Sequence, residues 1–138
     1  FEVEDLQIAV GDYTPLAVQD PTIDLLGCLR HFYRHSAGAG GVYGTGIVTA
    51  TTTALTEVQF PVPMRAAPTA VLTSGTASDY HLRHNTATTA CSAVPTFSST
   101  TNKSALLSST VASGLTVGQA VLLRGNGANS FLAWSADL

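Results

Sequence analysis

The chain has 138 residues and a mass of 14.2 kDa, with 45% hydrophobic and 11% charged residues. This length fits a single domain, and so apolar a composition excludes an intrinsically disordered chain. The net charge is −3 and the chain has a single Lys, so it lacks the basic stripe that nucleic-acid binding requires. There are 19 Thr and 12 Ser residues, and because Thr favours pleated strands over helices, we expect an all-β fold.

The two cysteines, Cys28 and Cys91, are too few for a disulfide scaffold. One bridge between them stays possible, but their apolar or small neighbours indicate that each is a small buried side chain. No apolar run approaches the ~18 residues that would span a bilayer, so membrane insertion is not expected. The chain starts at Phe1 without Met, from which we expect it to be the end of a longer polypeptide that holds other domains.

Acidic residues are concentrated at the N-terminus, where the first 24 residues contain six of them and no Lys or Arg. They alternate with apolar residues, and this alternation predicts an extended strand over residues 2–10. Pro15 follows and marks a connector. We therefore divide the chain into an N-terminal extended strand and connector at residues 1–21 and a single β-sandwich domain at residues 22–138.

The next segment predicts a short helix followed by a strand. Thr22 is placed to cap one helical turn over residues 23–26, and Gly27 is expected to end it. From Cys28 to His35 the side chains follow the two-residue period of a strand. The glycine-rich residues 36–41 lack large side chains and predict a flexible surface loop.

The remainder of the chain contains many short β-like runs. The runs 42–50 and 53–60 are separated by two threonines and predict a hairpin. Three prolines within residues 61–68 exclude a central strand or a helix there, so the chain must turn a corner. Further strands are expected at 69–74, 78–84, 89–97, 103–112, 117–124 and 129–136. This spacing is typical of an antiparallel β-sandwich of jelly-roll type.

Several phrases of the sequence resemble the C-terminal domains of bacteriophage tail fibres and tail spikes. Residues 60–69 read Phe-Pro-Val-Pro-Met-Arg-Ala-Ala-Pro-Thr and are similar to the family's Phe-Pro-Val-Pro-Met-Arg-x-x-Pro-Thr almost letter for letter. Weaker similarities are found at residues 7–11, 14–16 and 25–33, and in the closing Ser-Ala-Asp-Leu of residues 135–138. Ala9 and Leu29 depart from the family's Glu and Gln, and residues 75–130 show no similarity to it.

The resemblance implies a jelly-roll β-sandwich at the distal end of a virion fibre or spike, assembled as a homotrimer with the other domains of the parent fibre upstream. A mean hydropathy of +0.25 independently indicates more apolar surface than a monomer of this size easily buries. We therefore expect a trimer in the virion that attaches to a host cell-surface glycan or protein receptor. The alternative is a purely structural domain that trimerises and caps the fibre.

Sugar recognition uses an aromatic face together with planar polar groups, and residues 78–85 offer both. A strand there would place Tyr80 and His84 on one face, opposite His81, Arg83 and Asn85. The alternative is a solvated outer face with Tyr80 in the core. The loop at 37–41, with His35 and Tyr43 at its rims, is a second candidate site or a plain linker. The candidate ligand-binding residues are therefore Tyr43, Tyr80, His81, Arg83, His84 and Asn85.

Metal binding and catalysis are not expected. Cys28, His31 and His35 are close in sequence, but a strand would send Cys28 and His31 to opposite faces, so no metal ion or other cofactor is predicted. The chain has no Gly-x-Ser-x-Gly nucleophile motif. Beyond the acidic N-terminal segment, its carboxylates are Glu57, Asp79 and Asp137, which do not suggest the paired acids of a glycosidase. We therefore predict that the chain is not an enzyme.

Overall fold

The computed structural model describes residues 20–85 and 87–136. Within them, helix α1 (Pro21–His31) precedes ten strands, and a 3-10 turn (Ala77–Asp79) lies before the fifth. The strands are β1 (Phe32–His35), β2 (Val42–Ala50), β3 (Thr53–Gln59), β4 (Leu72–Thr73), β5 (Tyr80–His84), β6 (Ala87–Ala90), β7 (Thr96–Thr100), β8 (Ser104–Thr110), β9 (Ala120–Gly125) and β10 (Leu132–Ser135). The strand and connector predicted before residue 20 lie outside the described residues.

Helix α1 is longer than the sequence indicated, and the predicted strand from Cys28 was wrong over its first four residues. The cap is Asp20, whose side chain accepts a hydrogen bond from the Thr22 amide at 2.9 Å, and Pro21 occupies the first turn. A glycine inside a helix costs only about 1 kcal/mol, so Gly27 does not end it. The helix therefore continues to His31, and the strand begins at Phe32.

The strands form two antiparallel sheets, which confirms the predicted all-β sandwich. The larger sheet has the order β6-β5-β9-β2-β3-β8-β7, and the smaller sheet has the order β1-β10-β4. The predicted hairpin is present, since β2 and β3 pair antiparallel on either side of residues 51–52. The proline-rich segment 61–68 contains no helix or strand, as predicted.

The predicted strand at 89–97 is two strands, and the segment between them bends the larger sheet. The Cys91 amide donates to the Tyr80 carbonyl in β5, and the Ser92 amide donates to the Thr110 carbonyl in β8, both at 2.9 Å. In a flat sheet β5 and β8 would lie four strand spacings, or about 19 Å, apart. Two adjacent residues can reach both strands only because the sheet curls, and the core lies on its inner side.

The inner face of the curled sheet is built by alternate residues of its strands, including Val48, Ala54, Val58, Leu82, Leu107, Val121 and Leu123. The smaller sheet contributes the fully buried Trp134, which stacks on Tyr33 at 5.8 Å between ring centroids and meets the Phe60 ring edge-on at 5.2 Å. Phe60, Met64 and Pro68 are all buried. The segment that carries the strongest family resemblance is therefore anchored to the core through these three side chains.

Two glycines of β2, Gly44 and Gly46, lie where the curled sheet leaves no room for a side chain. A Cβ at Gly46 would overlap the Leu55 carbonyl and approach within 2.6 Å of the Thr56 Cα on β3. Backbone atoms cannot move aside as a flexible side chain can. Close pairing of β2 with β3 therefore depends on glycine at this position.

We expect Gly46→Ala to destabilise the fold by about 1–3 kcal/mol, because the added methyl group must push β3 away. The matched control is Gly27→Ala in α1, where the new Cβ meets nothing within 4 Å. It should stabilise the protein by up to ~1 kcal/mol through helix propensity. Urea unfolding measures both changes, and equal effects of the two substitutions would contradict this account of β2.

The two cysteines are free and occupy different environments. Cys91 is buried, as predicted, and burial raises the pKa of its thiol to about 12. Cys28 is exposed on α1, which corrects the expectation that it is buried. Its exposure follows from the helix, which carries it away from the core.

We expect Cys91 to resist alkylation in the folded protein, because the reactive thiolate is scarce below a pKa of about 12 and the side chain is buried. The measurement uses Cys28→Ser, which leaves Cys91 as the sole thiol, and iodoacetamide at mildly alkaline pH. Mass spectrometry should detect modification only after unfolding in urea. Rapid modification of the folded variant would show that Cys91 is accessible.

Candidate functional site

Strand β5 contains most of the candidate ligand-binding residues, and its predicted alternation is confirmed. Tyr80 and Leu82 are fully buried and His84 is 7% exposed, so these three face the core. His81 is half-buried and Arg83 is exposed on the outer face. The strand therefore separates the candidates into an inner and an outer set.

The inner candidates are held by partners within the subunit. The Tyr80 hydroxyl donates to the Phe131 carbonyl and accepts from the Ser74 amide at 3.0 Å. His84 Nε2 lies 3.0 Å from the Thr89 hydroxyl on β6. The curl of the sheet turns this side of β5 inward, so Tyr80 lies in the core, as the predicted alternative to a ligand site had it. The prediction that Tyr80 and His84 bind a ligand is wrong, because neither ring has a face open to one.

Tyr43, the candidate beside the glycine-rich loop, is also buried. Its ring meets the His35 ring edge-on at 5.1 Å, and burial raises the pKa of Tyr43 and lowers the pKa of His35. The loop above it is fastened to β9, since Arg124 Nε donates to the Gly40 carbonyl at 3.0 Å and the Gly40 amide donates to the Gly125 carbonyl at 2.7 Å. The Tyr43 ring therefore belongs to the core and not to the surface.

Arg83 and Asn85 lie together on the surface. They line a shallow depression of about 260 Å³ on the outer face of β5, β9 and β2, which also includes Thr45 and Leu122. His81 pairs with Arg124 two residues further along the same strands, on the same face as Arg83 and Leu122. A guanidinium, an amide and a hydroxyl around an apolar floor can bind the hydroxyl and carboxylate groups of a ligand.

A second site, which the sequence did not predict, lies on the same face. Two further depressions, of about 330 and 220 Å³, share Glu57 on β3 and Ser104 on β8. The first also includes Gln59, Phe60, Pro63 and Lys103, and the second Ser99, Thr100, Thr101 and Leu106. The sequence feature that could have predicted this site is the alternation in β3, which places Glu57 and Gln59 outward on either side of the buried Val58.

Hydrogen bonds within the chain fix the backbone that lines these two depressions. The Thr101 hydroxyl accepts hydrogen bonds from the Lys103 and Ser104 amides, both at 3.1 Å. The Phe60 amide donates to the Lys103 carbonyl at 2.9 Å, which ties the end of β3 to the same turn. Because the backbone is already ordered, binding here costs little conformational entropy.

Helix α1 places Cys28 and His31 on one face, not on opposite faces as the predicted strand required, while His35 lies on β1. Within residues 20–85 and 87–136, no group of three or more His, Cys, Asp or Glu residues is arranged to hold a metal ion. In the same part of the chain, no helix has the length and apolar character needed to cross a membrane.

Comparison of the chain with protein-family models, with curated proteins and with solved structures returned no match.

We expect Tyr80→Phe to lower the free energy of unfolding by about 1–3 kcal/mol, because the Phe131 carbonyl and the Ser74 amide both lose a partner. The control is Arg83→Ala on the outer face of the same strand, which should stay within ~0.5 kcal/mol of the wild type. Thermal and urea unfolding measure both. A neutral Tyr80→Phe would contradict the assignment of Tyr80 to the core.

Proposed function

We propose that the chain is the distal domain of a phage tail fibre or tail spike, which assembles as a homotrimer and attaches the virion to a glycan or protein on the host surface. The domain acts by non-covalent binding and not by catalysis. The phrase at residues 60–69 supports the family, and the exposed apolar surface of α1 supports the assembly.

The main support for the proposal is that helix α1 contains no buried residue. None of the eleven residues of α1 is buried, and Ile23, Leu25 and Leu26 are 67%, 59% and 43% exposed. A helix shorter than ~12–15 residues is marginal in water unless an apolar face packs against something. Helix α1 therefore needs a partner surface.

Exposed apolar residues are also found on the smaller sheet, whose first strand follows α1 in the chain. Phe32 on β1 and Leu72 on β4 are 47% and 45% exposed. Thus α1, β1 and β4 together carry five of the eight large hydrophobic residues that are exposed in the described part of the chain. Such a concentration of exposed apolar residues marks an interaction surface, and in a cyclic homo-oligomer every subunit buries the same surface.

This arrangement suits attachment, because the subunit contact and the three depressions use different elements. The depressions lie on the outer face of the larger sheet, so a trimer joined through α1 and the smaller sheet keeps them accessible. Shallow polar sites bind weakly one at a time. Three copies on one fibre tip raise the effective affinity through avidity without any new contact.

We expect the wild-type protein to sediment as a trimer. The Leu25→Asp variant should sediment as a monomer, because the new carboxylate would be buried in the subunit contact without a partner. The control is Val117→Asp, which makes the same change at a residue that is 59% exposed in a turn of the larger sheet. Analytical ultracentrifugation measures all three proteins. A wild type that stays monomeric would contradict the proposed assembly.

Attachment itself is tested with the fluorescently labelled protein on a panel of bacterial strains. We expect saturable binding to a subset of strains, and the unlabelled protein should block it. A trimer that binds no strain would favour the structural alternative.

That alternative, a trimerisation cap that binds nothing, is favoured by one observation. Tyr43, Tyr80 and His84 are buried within the subunit, which leaves the outer face with few aromatic rings for a sugar to stack on. The ultracentrifugation and the cell-binding experiment together distinguish the two functions.

A further inference from the structure

We propose that the outer face of the larger sheet is one continuous binding track for a linear acidic polysaccharide, which crosses the strands from Arg83 to Ser99. This inference rests on the proposed function and adds the class of ligand: an extended stretch of polymer, in place of a single terminal sugar.

The three depressions are continuous because strand register places their residues in one row. Arg83 lies opposite Leu122, Leu122 opposite Thr45, and Thr45 opposite Glu57. Beyond Glu57 the row continues through Leu106 on β8 to Ser99 on β7. Residues directly opposite one another on one face of a sheet are in contact range. Five strand spacings make the row about 24 Å long before curvature is considered.

Thr45 and Glu57 join the two halves of the row. Thr45 lines the depression that contains Arg83, and Glu57 lines both of the others. Since Thr45 and Glu57 are direct cross-strand neighbours, no strand separates the sites. A ligand long enough to leave the first depression therefore enters the next.

The size of the depressions favours a long ligand. Their volumes are about 220, 260 and 330 Å³, at or below the lower end of the ~300–1,000 Å³ typical of small-molecule pockets. A small molecule in any one of them would bury little surface. A polymer that occupies all three depressions makes the contacts of all three. It loses its translational freedom only once, so its affinity exceeds that of a small molecule in one depression.

The row has one cationic and one anionic residue, and together they suit a polymer that carries both carboxylates and hydroxyl groups. Arg83 presents a guanidinium, whose fork of donors suits a carboxylate, and Glu57 lies three strand spacings, or about 14 Å, away. The Glu57 carboxylate is an acceptor for the hydroxyl groups of a sugar unit bound beside it. The half-buried Leu122 and Leu106 form an apolar floor for the C–H faces of the sugars. Carboxylate-bearing units would thus lie at Arg83 and neutral units at Glu57.

The test uses the trimeric protein and a printed array of bacterial acidic polysaccharides, with size-fractionated fragments of each polysaccharide that binds. We expect affinity to rise with fragment length and then to level off when the row is filled. Arg83→Ala and Glu57→Gln should each weaken binding about tenfold, the loss typical of one charge-assisted hydrogen bond. Thr116→Ala, at an exposed position in the turn before β9 and outside the row, is the matched control and should bind normally.

Chemical reduction of the polysaccharide carboxylates provides a second control. The reduced polymer should bind the wild type and Arg83→Ala equally, while Glu57→Gln should still weaken it. Affinity that does not depend on fragment length, or variants that bind as the wild type does, would overturn the track and leave host attachment intact. A trimer that binds neither cells nor polysaccharides would overturn both proposals.

The face must also be open in the trimer. In a Cys28→Ser background, Thr45→Cys should react rapidly with a maleimide reagent in the assembled protein. Protection of this thiol would show that the outer face is a contact between subunits, which overturns the track and leaves the trimer intact.

Discussion

The structure depends on the closure of the larger sheet through Cys91 and Ser92. These two residues hydrogen-bond to strands near opposite ends of the sheet, so the sheet must curl and acquires an inside and an outside. The inner face receives one side chain of every two along each strand and has no room for a Cβ at Gly46. The outer face is left with Arg83, Glu57 and the three depressions.

The residues that carry the family resemblance and the residues that line the depressions lie mainly in different parts of the molecule. Phe60 and Met64 pack with Trp134 and its neighbours in the core, which makes the resembling phrase a determinant of the fold. Arg83 and Leu122 lie in the segment without similarity. Such a division lets the outer face vary in sequence without loss of the core.

Two surfaces expose apolar side chains, and their patterns differ. On α1, Ile23, Leu25 and Leu26 are all exposed, and the smaller sheet exposes Phe32 and Leu72 as well. On the larger sheet, the apolar Leu122 and Leu106 are interspersed in the row with Arg83, Thr45 and Glu57. The first pattern suits burial against another subunit, whereas the second suits a ligand with both polar and apolar groups. The oligomer, the host ligand and the place in the virion stay proposals.

The sequence by itself determined the features that depend on neighbouring residues: the β2–β3 hairpin, the proline corner and the alternation of β5. It could not determine that α1 continues past Gly27, because the helix end depends on contacts of Arg30 and His31 with distant backbone. Nor could it place Glu57 beside Ser104, since only the pairing of β3 with β8 joins them. Alternation separates two faces of a strand, but the curl of the sheet decides which face meets water.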